Sequence, residues 1–205
     1  MIKIYNFPAP SRAVRPIWLC EEMGVPYEVI LTTFPIPAEF RTRYAIGSVP
    51  YLEDEGVAMG ESIAMLLYIA EKYGPTPLLP EKEDPAFARV VSLSIFSEAT
   101  MGAWMNVLLG TMFKAPEDQK HTWQTELAET RARNSLDYAS KMLGDGPFFG
   151  GERFTIADIA IGTSLGMWNM ALGKDLPANL AAYSARLAER PAQQRAMKRA
   201  RGEAA

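Results

Sequence analysis

The sequence predicts a two-domain protein in which an α/β domain comes before an all-helical domain. Strand and helix signals alternate in the N-terminal third, a proline-rich charged segment interrupts the chain near residue 80, and strand signals are missing after it. A length of 205 residues is sufficient for two small domains. We expect a first domain over 1–76, a linker over 77–86 and a helical domain over 87–205.

The first domain opens with a strand, because Ile2 and Ile4 alternate with polar residues. Helical spacing of apolar residues predicts a helix from about Arg12 to Met23, and the following Gly24 is placed to end it. The β-branched segment 25–31 predicts a second strand. A strand, a crossover helix and a second strand favour parallel pairing.

The rest of this domain contains a short helix, a hairpin and a longer helix. The short polar helix is expected over 38–44. Asp and Gly in the stretch 51–59 predict a hairpin turn between two short strands. A helix is expected over 61–73, followed by Gly and Pro. The element order of the domain is therefore βαβαββα.

The second half carries only helical patterns and predicts a helical bundle. The expected helices cover residues 86–113, 116–143, 155–170, 177–189 and 191–201. Thr155 and Asp158 match a capping box, in which each side chain accepts a hydrogen bond from the other residue's backbone N–H. We interpret this motif as a helix start without a chemical role.

Composition excludes several classes of function. Cys20 is the only cysteine and His121 the only histidine, so an internal disulfide, a zinc site of several cysteines and a histidine-assisted triad are not expected. The net charge of -3 argues against a nucleic-acid partner. We expect neither a bound metal nor a membrane segment, and the N-terminal residues lack a signal-peptide pattern, which favours a cytoplasmic location. An enzyme with this composition must take its reactive group from a substrate or cofactor.

Four segments together resemble the cytosolic glutathione transferase family, in its bacterial serine- and cysteine-type members. They are residues 5–22 (YNFPAPSRAVRPIWLCEE), 47–52 (GSVPYL), 60–68 (GESIAMLLY) and 154–161 (FTIADIAI). The resemblance implies a thioredoxin-like N-terminal domain that binds glutathione as co-substrate, followed by the family's helical domain. It also implies a detoxification enzyme that joins glutathione to a small apolar electrophile, and a homodimer.

The resemblance assigns glutathione binding to two short segments. The Val49–Pro50 peptide bond is cis in the family, and the backbone of Val49 would pair with the cysteinyl unit of glutathione. Ser62, at a helix N-terminus, would receive the γ-glutamyl carboxylate, and Glu61 the ligand ammonium. The family often has Lys or Arg where this chain has Ser48, so that contact is missing or comes from Arg41 or Arg43. A turn proline and simple helix capping are the structural alternatives.

The catalytic position is where the chain departs from the family. Members place a hydroxyl or thiol near the first helix to donate a hydrogen bond to the glutathione sulfur, and the resulting thiolate is the nucleophile. In the serine-type register Pro8 occupies that position, and proline cannot donate. In the register of the cysteine- and asparagine-type members Ser11 lies at or beside it. Ser11 is our first candidate and Tyr5 the second; a helix cap and a core strand residue are their respective alternatives.

A stripe of large apolar residues on the first long helix is the candidate acceptor pocket, expected between the domains. It comprises Met101, Trp104, Met105, Leu108 and Met112. Met and Trp adapt to varied apolar ligands, which suits a pocket for small electrophiles. The same spacing also fits bundle core or a dimer interface.

Three functions remain open at this point. The first is transfer of the glutathione thiol to an apolar electrophile. The second is glutathione-dependent disulfide reduction or ether cleavage, which would use the same residues. The third is a binding protein without turnover, which Pro8 and Ser48 favour because both depart from the family pattern.

Overall fold

The computed structural model describes residues 1–204 and divides into two compact units. The first unit contains residues 1–79 together with the chain from Ala188 onward, and the second contains Pro80–Leu187. The first unit has the mixed sheet and the second only helices, as the sequence predicts. The predicted fold class, a thioredoxin-like domain followed by a helical domain, is confirmed.

A four-stranded sheet forms the centre of the first unit. Its strands are β1 (Ile2–Asn6), β2 (Tyr27–Leu31), β3 (Tyr51–Asp54) and β4 (Val57–Met59). The sheet order is β2-β1-β3-β4, with β1 and β2 parallel and the remaining pairs antiparallel. The hairpin turn between β3 and β4 has positive φ at both Glu55 (46°) and Gly56 (85°), as a tight two-residue turn between twisted strands requires.

Two helices and a short 3-10 helix accompany the sheet. Helix α1 spans Val14–Met23 and ends at Gly24, whose φ of 67° is left-handed, as predicted. The segment Ala38–Thr42 is a 3-10 helix, shorter than the helix expected over 38–44. Helix α2 spans Ser62–Lys72. Cys20 is buried in α1, and burial raises the pKa of its thiol to about 12, so this thiol is inert.

The second unit consists of helices joined by short turns. They are α3 (Ala86–Phe96), α4 (Ala103–Lys114), α5 (Trp123–Leu143), α6 (Ile156–Gly166) and α7 (Ala178–Ala188). A π-helical segment, Ser97–Gly102, joins α3 to α4, so the single helix expected over 86–113 is confirmed with one irregular turn. A second π-helical segment, Met167–Ala171, continues α6 to the end of its predicted range.

Helix α5 starts later than the sequence indicated. The expectation that Pro116 opens this helix is wrong, because only a 3-10 turn, Glu117–Gln119, follows the proline. The backbone then becomes extended at Thr122, with φ of -113° and ψ of 163°, and α5 begins at Trp123. Proline at a first helical position is a permissive signal, and it does not require the helix to continue.

The last helix, α8 (Pro191–Arg201), packs on α1 of the first unit rather than joining the helical unit. Its buried face consists of alanines at a spacing of four, Ala192, Ala196 and Ala200, which permit close approach. Bidentate hydrogen bonds join Arg190 to Glu22 at 2.8 Å each. The sequence placed residues 87–205 in the helical domain, and these long-range contacts are the reason for the difference. The exact domain bounds stay a prediction.

The capping box at the start of α6 is confirmed. Asp158 is fully buried, and its Oδ2 accepts hydrogen bonds from the backbone N–H and the hydroxyl of Thr155, at 2.8 and 3.0 Å. Its Oδ1 accepts from the backbone N–H of Phe149 and from the Tyr183 hydroxyl, both at 2.7 Å. Burial raises the pKa of Asp158 although these four donors oppose the shift. One carboxylate therefore ties α6, α7 and the preceding loop together.

Candidate functional site

Strand register brings the two predicted glutathione-binding segments together at one edge of the sheet. Leu52 of β3 lies opposite Met59 of β4. Pro50 and Glu61 each lie two residues beyond this last pair, at the open end of the hairpin. The separation of eleven residues between the two segments is thus the length of the hairpin that folds one onto the other.

The Val49–Pro50 bond is cis, as the resemblance implies; Phe34–Pro35 and Gly74–Pro75 are cis as well. Val49 is half-buried against an aromatic cluster of Tyr5, Phe40 and Tyr51. Among residues 1–204, neither the N–H nor the C=O of Val49 has a hydrogen-bond partner. A backbone donor and acceptor on one residue, both unpaired, are what an extended peptide needs for strand-like pairing.

Glu61 and Ser62 mark the start of α2, with an unusual backbone at the first of them. Glu61 precedes the helix with φ of 64° and ψ of 98°, a conformation that is sparsely populated for residues other than glycine. Such outliers cluster at ligand sites because the surrounding structure must hold them in place. The Glu61 side chain is exposed and Ser62 is buried, so they present different groups at one helix N-terminus.

Arg15 supports Ser62 from α1. The guanidinium is fully buried, and its Nη1 donates to the Ser62 hydroxyl oxygen at 2.9 Å. A buried cation beneath a helix N-terminus adds positive potential to the partial charge of the helix dipole. Nothing in the sequence pattern predicted the contact between Arg15 and Ser62, which are 47 residues apart. The only signal for the burial of Arg15 was its place within a run of apolar residues.

Ser11 lies just before α1, and its hydroxyl makes two local hydrogen bonds. Its Oγ donates to Oδ1 of Asn6 at 2.8 Å and accepts from the N–H of Ala13 at 2.9 Å. Asn6 is buried at the end of β1, and its Nδ2 donates to the carbonyls of Ala9 and Ala200 at 3.2 and 2.9 Å. No local pattern pointed to Asn6, because one of its partners lies 194 residues away along the chain.

The Tyr5 hydroxyl, the second candidate for thiol activation, contacts a neighbouring carboxylate. The hydroxyl donates to Oε2 of Glu53 at 2.9 Å, and the same carboxylate pairs with Arg43. Burial, and then this hydrogen bond, raise the pKa of Tyr5. Tyr5 as thiol activator stays a prediction, but its core position matches the structural alternative stated for it.

Arg41 and Arg43, the two arginines considered in place of a cation at Ser48, both have partners within the domain, and a contact of either with glutathione stays a prediction. Arg43 is committed to Glu53 and lies over the Tyr5 ring at 5.0 Å. Arg41 donates through Nη1 to the carbonyls of Ala45 and Ile46, at 3.0 and 2.9 Å. A Cβ at the neighbouring Gly47 would lie 2.9 Å from Arg41 Cζ, so the guanidinium rests against the loop that leads to the exposed Ser48.

The five candidate acceptor residues fall into two groups. Met101, Met105 and Leu108 are at most 4% exposed, as core residues are. Trp104 is half-buried and Met112 is 43% exposed. Only these last two, of the five, have surface available to a bound molecule. The acceptor pocket itself stays a prediction.

Within residues 1–204, no group of three or more His, Cys, Asp or Glu side chains is arranged to hold a metal ion. Across the same part of the chain, no helix combines the length and apolar character needed to cross a membrane.

Comparison with known proteins identifies the family. The family model of the glutathione S-transferase N-terminal domain matches residues 1–71, and a model of the C-terminal domain matches 121–186. The chain is 30% identical over 163 residues to glutathione S-transferase GstA of Escherichia coli O157:H7, covering 74% of this chain and 73% of that protein. The chain belongs to the glutathione S-transferase family.

Two further relatives extend this comparison. Glutathione S-transferase 3 of Schizosaccharomyces pombe is 29% identical over 162 residues, which cover 72% of this chain and 66% of that protein's length. Among solved structures, the theta class glutathione S-transferase of Xanthomonas axonopodis pv. citri, with glutathione bound, superimposes with a TM-score of 0.80 at 27% identity. That match covers 96% of each chain.

Proposed function

We propose that this protein is a glutathione transferase that ionises the glutathione thiol and directs the thiolate to the electrophilic carbon of a small apolar substrate. The observation that carries the proposal is the convergence, at one sheet edge, of an unpaired Val49 backbone and the Arg15-supported Ser62 hydroxyl. The bound glutathione in the Xanthomonas relative supports the same ligand.

Each part of glutathione has a matching group in this proposal. The γ-glutamyl carboxylate lies at the N-terminus of α2 on Ser62, where the helix dipole and Arg15 favour an anion. The exposed Glu61 carboxylate receives the ligand's ammonium group. The cysteinyl unit pairs with the N–H and C=O of Val49.

Ser11 is the proposed thiol activator. A hydroxyl that donates to the glutathione sulfur stabilises the thiolate over the thiol and lowers the thiol pKa. The thiolate then forms a carbon–sulfur bond with the acceptor, and the acceptor's leaving group departs with the electron pair of the broken bond. Holding both reactants together supplies the rest of the acceleration. Trp104 and Met112 are the proposed acceptor contacts.

Calorimetric titration with glutathione, followed by a conjugation assay on a panel of apolar aryl halides and epoxides, tests the proposal. We expect glutathione to bind at submillimolar concentration and its thiol pKa, read from thiolate absorbance, to fall below the free value of about 8.5. No retention of glutathione at millimolar concentration would overturn the binding assignment. An unshifted bound thiol without conjugation of any substrate would overturn the enzymatic one.

A binding protein without turnover is the second candidate, and one observation favours it. The single proton of the Ser11 hydroxyl is already donated to Asn6, and Pro8 has no hydroxyl to replace it. Glutathione-dependent disulfide reduction or ether cleavage would use the same residues. Assays with a mixed glutathione disulfide and with a β-aryl ether separate these activities from conjugation.

We also propose that the protein forms a homodimer and acts in the cytoplasm, as the family resemblance implies. Its mass in solution, measured by light scattering, tests the first statement. A molar mass equal to one chain of 22.7 kDa across the micromolar range would contradict it. Cell fractionation tests the second.

A further inference from the structure

Asn6 is a buried polar residue whose amide orientation is fixed by its neighbours. Besides Ser11, the Asn6 side chain has two partners, the backbone carbonyl oxygens of Ala9 and Ala200. Carbonyl oxygens only accept hydrogen bonds. Nδ2 must therefore face them, which leaves Oδ1 facing Ser11. Ala200 lies in the last turn of α8, where helix carbonyls lack intrahelical donors, so Asn6 also satisfies that helix end.

This fixed orientation dictates the direction of the Ser11 hydroxyl. Oδ1 has no proton to give, so the Ser11 hydroxyl donates across the 2.8 Å that separate the two oxygens. The N–H of Ala13 occupies one of the two Ser11 lone pairs at 2.9 Å. The half-buried hydroxyl retains one lone pair, which can accept a hydrogen bond and cannot donate one.

The hydrogen bond to Asn6 therefore opposes the donation that a thiolate needs from the Ser11 hydroxyl. A thiol proton fits the remaining lone pair of Ser11, whereas a thiolate needs the hydroxyl proton that Asn6 holds. To donate to sulfur, the hydroxyl must turn away and leave the buried Oδ1 without its partner, and buried polar groups without partners are costly. Asn6 and the thiolate compete for one proton.

From this competition we propose that Asn6 is a positioning residue that determines which acceptor receives the Ser11 hydroxyl proton, and thereby how readily bound glutathione loses its own. The inference rests on the proposed function, because it acts through Ser11. Asn6 is 0% exposed, so we assign its effect to Ser11 and not to a direct contact with the ligand.

The sign of the effect is unusual and makes the inference testable. Asn6→Ala removes the competing acceptor, so the Ser11 proton becomes available to sulfur and the pKa of bound glutathione should fall by about one unit. Asn6→Asp keeps an acceptor and adds negative charge, so the same pKa should rise. Both variants lose the contacts to Ala9 and Ala200. The added charge of Asn6→Asp raises this pKa by itself, so only a shift that requires Ser11 supports the inference.

The experiment measures thiolate absorbance of glutathione bound to the full chain as a function of pH. Each Asn6 variant is made alone and combined with Ser11→Ala, and Asn6→Leu, of similar volume, replaces Asn6→Ala if that variant does not fold. We expect the fall caused by Asn6→Ala to disappear when Ser11 is Ala. An unchanged or raised thiol pKa in Asn6→Ala and Asn6→Leu, or an equal fall in both Ser11 backgrounds, would overturn the inference.

The Ser11→Ala variant alone distinguishes failure of the Asn6 inference from failure of the assignment of Ser11 as thiol activator. If Ser11→Ala alone leaves the bound thiol pKa unchanged, Ser11 is not the activator and the role of Asn6 is lost with it, whereas the transferase proposal falls only if the wild-type bound thiol is unshifted and no substrate is conjugated. If Ser11→Ala raises that pKa and the Asn6 variants have no Ser11-dependent effect, only the role of Asn6 is lost.

Discussion

The Arg15 guanidinium donates a hydrogen bond to the Ser62 hydroxyl across 2.9 Å, and neither residue is more than 4% exposed. The contact joins the first turn of α1 to the first turn of α2. It places a buried positive charge behind a helix N-terminus, where a carboxylate is most favoured. The affinity for an anionic ligand should therefore depend on Ser62.

We expect Ser62→Ala to weaken glutathione binding about tenfold, because a hydrogen bond to a charged group contributes roughly 1.5 kcal/mol. Calorimetric titration measures the change. Ser135→Ala is the matched control: Ser135 is equally buried at 4%, but its hydroxyl donates only to the carbonyl of Ala132. An equal loss of affinity in the two variants would indicate a general effect of destabilisation.

A second pair of variants shows whether Ser11 or Tyr5 activates the glutathione thiol. Ser11→Ala should lower kcat/KM for conjugation about 10- to 100-fold and raise the pKa of the bound thiol, because the donor to the thiolate is lost. Tyr5→Phe should leave the thiol pKa unchanged, since the Tyr5 hydroxyl donates to Glu53. The opposite pattern, a raised thiol pKa in Tyr5→Phe alone, would restore Tyr5 as the activator.

The buried carboxylate of Asp158 should make a large contribution to stability. Asn in its place presents one NH₂ group to backbone or hydroxyl donors that Asp158 now accepts from, and one N–H of Phe149 or Thr155 loses its acceptor. We expect Asp158→Asn to lower the free energy of unfolding by about 2–4 kcal/mol. Denaturant unfolding measures this, with the exposed Asp137→Asn as control. A loss below about 0.5 kcal/mol would contradict the network's importance.

The lowered pKa of Asp54 predicts how the stability of the protein changes in acid. Burial raises its pKa, but hydrogen bonds from Lys72, Tyr73 and Tyr68 outweigh it and hold the pKa below the ordinary value. A lowered folded-state pKa contributes stability that is present above the unfolded pKa of about 3.9 and is lost as pH falls toward the folded value.

Urea unfolding between about pH 6 and pH 3 checks this dependence. The wild-type midpoint should fall as the pH decreases through this range. Asp54→Asn should be less stable at pH 6 and lose less on acidification, because the titrating group is gone. Parallel curves for the two proteins would show that other carboxylates account for the acid sensitivity.

Local signals in the sequence sufficed for most elements of the fold. Gly24 ends α1 and Gly56 lies in the turn that closes the hairpin because glycine adopts positive φ at little cost, whereas the positive φ of Glu55 is imposed by the turn. Pro116 did not open α5, because proline permits a helix start and tertiary contacts decide whether the helix follows. The order of elements was thus predictable, and one boundary was not.

The candidate site was predictable where it depends on backbone geometry. Val49 and Pro50 precede a hairpin, and Glu61 follows it; the turn residues within 51–59 predicted this hairpin. Arg15 and Asn6 could not be found in this way, since their partners are 47 and 194 residues distant along the chain. Burial of a polar side chain is decided by what packs over it, and no nearby residue encodes that.

The packing of α8 on α1 has a consequence for the order in which the protein matures on the ribosome. The strands and α1 emerge early, yet the carbonyl of Ala200, which holds Asn6, emerges only after the whole helical unit has been translated. Until then, the surface of α1 that packs against α8 stays uncovered in the nascent chain. The Asn6 amide gains the last of its hydrogen-bond partners only when α8 has been made, although its contacts with Ser11 and Ala9 can form early.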